Sequence, residues 1–422
     1  MVKQILYLML VMQATAFTAS SQGFLKRLGE KAASAGQDLI IRKGTQKAEK
    51  AIDGNTSAKE KNGKSGESGT SEGAQKNVQK VKSYSKYDFV PGEKNLLYDN
   101  FEQDVIGEFP MKWFTNGSGE IVKLEGQNGK WLQINSGSIL SPTVKLPENF
   151  TMEFDVFLNL SVTSSSVLPG FQFQLFDRGE KAKRLDTYNY TLKNVLSFST
   201  SFDYQKAVVS LDSRENAKPK LKSDKIYLQG FQNNYGKVVH VAVSIQKERL
   251  RLWYNAEKVL DLPTAVASPA NFNQLLFSGP KTAAGDPAFF ISNIKLAGGM
   301  PDMRSKFLEQ GKFVTTGILF DSNSDKIKPE SYGLLKEIAA AIKESPDMKV
   351  KIIGHTDNDG QADANLTLSR KRAMAVKDVL SKEFDVNTEA LSIDGKGSSE
   401  PVASNSNAVG KAENRRVEFV KQ

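Results

Sequence analysis

The sequence predicts a multidomain chain: an all-β two-sheet sandwich over residues 95–298, then an α/β domain of order βαβαββ over residues 311–422. Between 95 and 298, short runs alternate polar and apolar residues and are punctuated by Asn, Gly, Asp and Pro, with no helical period among them. Beyond residue 311, helical stripes alternate with short apolar strands. A length of 422 residues also exceeds one ordinary domain.

Residues 1–19 read as an export signal. Lys3 supplies a positive end, Ile5 to Met12 (ILYLMLVM) a short apolar run, and Ala14-Thr15-Ala16 or Thr18-Ala19 the small residues of a cleavage site. The run is too short to remain in a bilayer as a spanning helix. Residues 24–52 are expected to form an amphipathic helix, because Phe24, Leu25, Leu28, Ala32, Ala35, Leu39 and Ile40 recur at spacings of three and four among Lys and Arg. A basic helix of this kind suits an anionic membrane surface, a neighbouring domain, or fraying in solution. Residues 53–90 are expected to be a disordered linker, since GNTSAKEKNGKSGESGTSEGAQKN cannot bury enough surface to offset chain entropy. Limited proteolysis should therefore cut first between Asp53 and Lys86. Early cleavage inside 95–298 would count against these boundaries.

The sandwich strands are expected at Trp131–Ile134, Phe150–Leu158, Phe171–Phe176, Val238–Ile245, Arg249–Tyr254 and Phe289–Leu296, among about a dozen in all. The opening DNFEQDVIGEFPMKW (Asp99 to Trp113), the strand FTMEFDVFL and the pair VVHVAVSIQKERLRLWYNAEKVLDL (Val238 to Leu262) resemble a concanavalin-like or laminin-G-like jelly roll. A transmembrane barrel is disfavoured, because the runs are shorter than the roughly nine to eleven residues of a membrane strand. Glu153 and Asp155 stand at i and i+2, as paired carboxylates do in some jelly-roll glycosidases, which resemble E-x-D-x-x-E. Here Leu158 occupies the last position, and the expectation is an ordinary half-exposed strand.

Residues 299–310 are expected to be a linker. In the α/β domain, strands are expected at Gly317–Phe320, Lys349–Ile353, Leu391–Ile393 and Arg416–Val420. Helices are expected at Pro329–Lys343, striped by Leu334, Leu335, Ile338, Ala341 and Ile342, and at Asp363–Phe384.

Composition removes several function classes. The chain has no cysteine and two histidines, His240 and His355, which leaves little for thiol chemistry, a lipid-bearing Cys, a zinc site or a His-based triad. No cofactor or metal is expected. The formal charge of +9 favours anionic partners, but 57 Lys and Arg are dispersed among 48 Asp and Glu rather than gathered in a stripe, so no nucleic acid is expected.

The stretch GHTDNDGQADANLTLSRKRAMAV (Gly354 to Val376), with FDSNSDKI (Phe320 to Ile327) before it and GKGSSEP (Gly395 to Pro401) and NRRVEF (Asn414 to Phe419) after it, closely resembles the outer-membrane protein A C-terminal domain. That domain is shared with the peptidoglycan-associated lipoprotein and flagellar motor B proteins. Independently of the resemblance, Asp357 follows a buried strand, where open α/β sheets place ligands, and Arg372 lies fifteen residues later. A carboxylate and a guanidinium at one gap suit a zwitterion.

The resemblance implies that Asp357 and Arg372 hold the amino-acid centre of diaminopimelate in peptidoglycan stem peptides. It further implies that Asn365, Asn323, Thr356 and Leu368 line the pocket and that Arg416 lies near it. The plainer readings are a turn-capping Asp357, a solvated Arg372, a turn-forming Asn323, a surface ion pair at Arg415 and a structural His355. The expected function is non-catalytic attachment to peptidoglycan on the periplasmic side of the outer membrane, with a protein or glycan partner for the sandwich. A lectin-like binder is the alternative, and a wall or glycan hydrolase a further one.

Overall fold

The computed structural model describes residues 87–161, 168–177, 193–279, 289–300, 303–345 and 347–422. The expected signal 1–19, the helix 24–52 and the linker up to residue 86 lie outside the described residues.

Among the described residues, sixteen strands from Lys94 to Gly298 build two eight-stranded antiparallel sheets. The first runs Glu257–Leu262, Arg249–Tyr254, Val238–Gln246, Asn149–Leu158, Phe289–Gly298, Trp131–Ser136, Ser118–Val122, with Lys94–Asp99 also paired to Phe289–Gly298. The second runs Lys218–Lys222, Lys206–Glu215, Val195–Phe202, Phe171–Phe176, Gln274–Ser278, Ser138–Leu140, Phe114–Thr115, with Ile226–Gln229 on Lys206–Glu215. Alternation sends Phe154, Phe171, Phe173, Phe198, Phe277 and Phe289 into one core common to both sheets. There Phe173 and Phe198 stack with ring centroids 4.5 Å apart.

The Asn149–Leu158 strand is not half-exposed as its alternation suggests. Glu153 and Asp155 are only 5% and 7% exposed, because the C-terminal domain and the segment leading into the sandwich cover that face. Tyr87 feels the charges of both Glu153 and Glu330, and Lys328 faces Asp155. Burying these carboxylates requires partners. His240 Nδ1 is 2.7 Å from Asp155 Oδ1, and its Nε2 is 3.6 Å from Glu153 Oε2, an ion pair rather than a hydrogen bond. Lys295 Nζ lies 3.6 Å from Glu153, and Asn293 Nδ2 donates to Asp155 at 2.8 Å.

Burial alone would depress the His240 pKa, but its contacts with Asp155 and Glu153 outweigh burial and carry it to about 10. A raised folded-state pKa means that stability is fully present below the ordinary histidine value of about 6.5 and is lost as pH climbs towards 10. The unit should thus melt earlier as pH rises through that window. In His240→Gln this dependence should vanish, and calorimetry from pH 6 to 10 checks it; an unchanged slope would exclude His240 as its source.

The expected linker ends too late. Tyr87 and Phe89 are buried against Trp253, with ring centroids 6.3 and 5.2 Å from it. Asp88 accepts from Trp253 Nε1 at 3.3 Å and pairs with Lys258 at 2.7 Å. The same strap lies on the other domain: a Cβ placed on Gly333 would stand 2.4 Å from the Phe89 carbonyl oxygen. Alanine normally stabilises a helix relative to glycine. Gly333→Ala should do the reverse, costing about 1–3 kcal/mol because backbone must shift. Chemical denaturation reads the sign, and a stabilised variant would show the strap to be loosely seated.

The C-terminal domain holds helices α1 (Met303–Glu309), α2 (Tyr332–Lys343), α3 (Ala362–Lys382) and α4 (Ala408–Asn414). Its four-stranded sheet runs Lys312–Thr315, Val417–Lys421, Val350–His355, Leu391–Gly397, with the last two parallel and the other neighbours antiparallel. The order departs from βαβαββ in three places. The first strand is Lys312–Thr315 rather than Gly317–Phe320, of which only Phe320 bridges to Ile327. Helix α4 separates the last two strands, and α1 occupies the expected 299–310 linker. Phe307 of α1 is fully buried against Phe313 and Phe419, so α1 belongs to this domain's core. Both short helices have seven residues, too few for a helical period to stand out in sequence.

Candidate functional site

Helix α3 reaches the sheet at two glycines. Cβ atoms on Gly354 and Gly395 would fall 2.2 Å from the Ser369 carbonyl oxygen and 2.5 Å from the Arg370 amide. Only glycine permits that crossing. It sets the strand end carrying Asp357 near the turn of α3 carrying Arg372, which is how charges fifteen residues apart come within electrostatic reach.

Asp357 is 8% exposed. Its Oδ1 accepts from the Asp359 amide at 3.2 Å, and its Oδ2 takes Arg415 Nη1 at 2.6 Å. A carboxylate has about four acceptor positions, so further bonds remain open to it. Arg372 donates from Nε to the Ser324 carbonyl at 3.0 Å, with its guanidinium 4.8 Å over the Phe320 ring. No further hydrogen bond of Arg372 occurs among the described residues. Burial, and then the neighbouring Arg415, hold the Arg372 pKa below its usual value, against the pull of Asp357 and Asp325. Burial also acts on Arg415, but Tyr98 and Asp357 outweigh it and hold that group above its usual value, so Arg372 is the less compensated of the two guanidiniums.

A cavity of about 160 Å³ opens here, lined by Phe320, His355, Arg372, Arg415 and Arg416 from this domain and by Asn95, Tyr98 and Lys295 from the sandwich. His355 is 3% exposed and neither ring nitrogen has a hydrogen-bond partner among the described residues. Burial, aided by Arg416, lowers its pKa to about 4. It stays neutral at pH 7 and serves as a wall.

The other sequence-derived positions separate by role. Asn365 is buried and donates to the Asp359 and Asp357 carbonyls at 2.9 and 3.4 Å, while Thr356 Oγ1 donates to the Asp357 carbonyl at 2.8 Å. Both shape the loop; neither lines the cavity, and Asp357 itself stands behind Arg415 rather than in the lining. Asn323 is exposed with φ 53°, the left-handed turn conformation that asparagine tolerates. It supports the turn whose Ser324 carbonyl holds Arg372. Leu368 is half-buried on α3, away from the cavity lining.

Arg416 lines the cavity, but its guanidinium is committed to Glu418, with Nε and Nη2 at 2.9 and 2.8 Å from Oε1, and to the Glu400 carbonyl at 3.0 Å. The arginine bonded to Asp357 is Arg415. Both arginines border the cavity, but Arg415 bonds Asp357 while Arg416 bonds Glu418, so the sequence pair Arg415-Arg416 held the signal but not which member meets Asp357.

The family model for the OmpA family matches residues 319–415. This stretch is an OmpA-family domain. Over 102 residues it is 42% identical to the probable lipoprotein YiaD of Escherichia coli (24% of this chain, 46% of that protein). Over 105 residues it is 41% identical to outer membrane porin F of Pseudomonas aeruginosa (25% and 30%). Over 108 residues it is 40% identical to the peptidoglycan-binding protein ArfA of Mycobacterium tuberculosis (25% and 33%). The chain thus spans less than half the length of these relatives. Among solved structures, the peptidoglycan-associated lipoprotein from Burkholderia pseudomallei matches at 32% identity over 25% of this chain and 88% of that one, with a TM-score of 0.24. The matched stretch carries Leu319, Phe320, Gly354, His355, Arg372, Ala412 and Arg415 of the cavity lining, while Arg416 lies just beyond it.

Proposed function

We propose that the chain is a non-catalytic envelope protein that attaches to peptidoglycan through its OmpA-family domain by recognising the amino-acid centre of diaminopimelate. The observation that carries this reading is the charge arrangement: Arg372 and Arg415 converge on one cavity while Asp357 stands beside Arg415 with acceptor capacity to spare. A ligand carboxylate pairs with the spare donors of Arg372, and a ligand ammonium completes the Asp357 shell. Similarity to proteins named as peptidoglycan-binding or outer-membrane supports the same assignment and a place on the periplasmic side of the outer membrane.

The sandwich, with its jelly-roll-like strand pattern, then carries the other side of the attachment, a protein or the outer membrane itself. Glycan binding by the sandwich face would instead favour a lectin-like role.

Purified peptidoglycan should sediment the full chain, and a soluble diaminopimelate muropeptide should release it. A chain left in the supernatant would refute the reading. A fragment testing the OmpA-family domain alone should begin before Met303, since a cut at 311 removes Phe307 from the core.

A further inference from the structure

We infer that the sandwich forms one wall of the OmpA-family site, with Tyr98 as a positioning residue that holds Arg415 on Asp357. Arg415 is bonded at both ends of its fork: Nη1 to Asp357 Oδ2 at 2.6 Å and Nη2 to the Tyr98 hydroxyl at 3.3 Å, with its guanidinium carbon 5.9 Å from the Tyr98 ring centre. The two partners lie on different domains. Tyr98 sits on the Lys94–Asp99 strand, which is zipped to Phe289–Gly298, the strand that also supplies Lys295 to the cavity.

This wall is held in place independently of the site. Glu93, just before the strand, pairs with Lys306 of α1 at 2.7 Å, and Gln103 donates to the Ser406 carbonyl at 2.9 Å. The Tyr87–Phe89 strap fixes the same interface further along. The sandwich side also brings polarity into the cavity, since Asn95 Oδ1 is buried without a partner among the described residues. A long arginine side chain loses much rotamer freedom when it is held at one geometry. Tyr98 meets that cost before the ligand arrives, so the docked pair of domains recognises the stem peptide better than the OmpA-family domain does with Arg415 free.

The inference rests on the peptidoglycan reading, and the test separates the two. A diaminopimelate muropeptide is titrated into the full chain by calorimetry, with melting curves for each variant. Tyr98→Phe, which keeps the ring and removes only the hydroxyl, should weaken binding about two- to tenfold with little change in melting. Tyr98→Ala should weaken it about tenfold or more. In an Arg415→Ala background neither change should weaken binding further, because the residue through which Tyr98 acts is gone.

Parent-like or tighter binding by Tyr98→Phe and Tyr98→Ala would overturn the inference, tighter binding meaning that the sandwich obstructs the site. Equal losses in both backgrounds would also overturn it, since a merely structural role is additive. If the parent chain does not bind the muropeptide, the peptidoglycan reading itself has failed; if it binds and Asp357→Ala binds equally well, the ligand sits elsewhere and the inference falls with that site. If Asp357→Ala loses binding and the Tyr98 variants do not, only the role of Tyr98 has failed.

Discussion

Asp357→Ala and Arg372→Ala should each remove most peptidoglycan binding while leaving the chain folded. In the proposed reading each supplies a charge for one end of a zwitterion, and losing it leaves the matching ligand charge desolvated and unpaired. That penalty is typically about 2–5 kcal/mol, or roughly thirty- to several-thousand-fold in affinity. Arg372→Lys should also weaken binding, because an ammonium cannot reproduce a planar two-point contact or stack on Phe320 in the same way. Lys371 is exposed on the neighbouring helical position, so Lys371→Ala should bind like the parent. Calorimetric titration with a diaminopimelate muropeptide, alongside circular dichroism, measures all four. Two alanine variants with parent affinity would place the ligand elsewhere.

Arg416→Ala should act on folding rather than on recognition, and strongly. Arg416 is 5% exposed and Glu418 6%. Burial by itself would raise the Glu418 pKa, but Lys312 and Arg416 outweigh it and hold the carboxyl below its usual range. Removing Arg416 leaves Glu418 with Lys312 at 2.6 Å and strips the Glu400 carbonyl of its donor. Breaking a buried pair from one side costs about 3–5 kcal/mol when the remaining charge has no other partner; with Lys312 still in place the loss should be about 1–3 kcal/mol. Its neighbour should behave oppositely: Arg415→Ala should melt close to the parent and lose about tenfold or more in muropeptide affinity. Denaturant titration and calorimetry on the two variants decide the matter. A stable Arg416→Ala that fails to bind would reverse the roles assigned to this pair.

Much of the fold is written in local pattern. Alternation fixed the strands Phe171–Phe176 and Arg249–Tyr254 at the residues observed, and the period of Leu334, Leu335, Ile338 and Ile342 marked α2. These features need only neighbours in sequence, since one face of each element meets a core whatever the rest of the chain does. The motif blocks around Gly354 and Asn414 likewise marked the site, because its glycines and charges are needed at fixed spacings.

What sequence could not carry is everything that depends on two domains touching. The pattern of Glu153 and Asp155 is that of a solvent-facing strand, yet both are buried beside His240 and Lys295, because a second domain lies over them. Tyr87 and Phe89 stand at the edge of a polar tract with no period, and only Trp253 and Gly333 across the interface give them a place. The chain alone thus determined most sandwich strands, the helices α2 and α3, and the stretch that matches the OmpA family. Tertiary packing decided which arginine of an adjacent pair meets Asp357, and that a tyrosine 317 residues away holds it there, because side-chain partners across an interface leave no periodic trace in either segment.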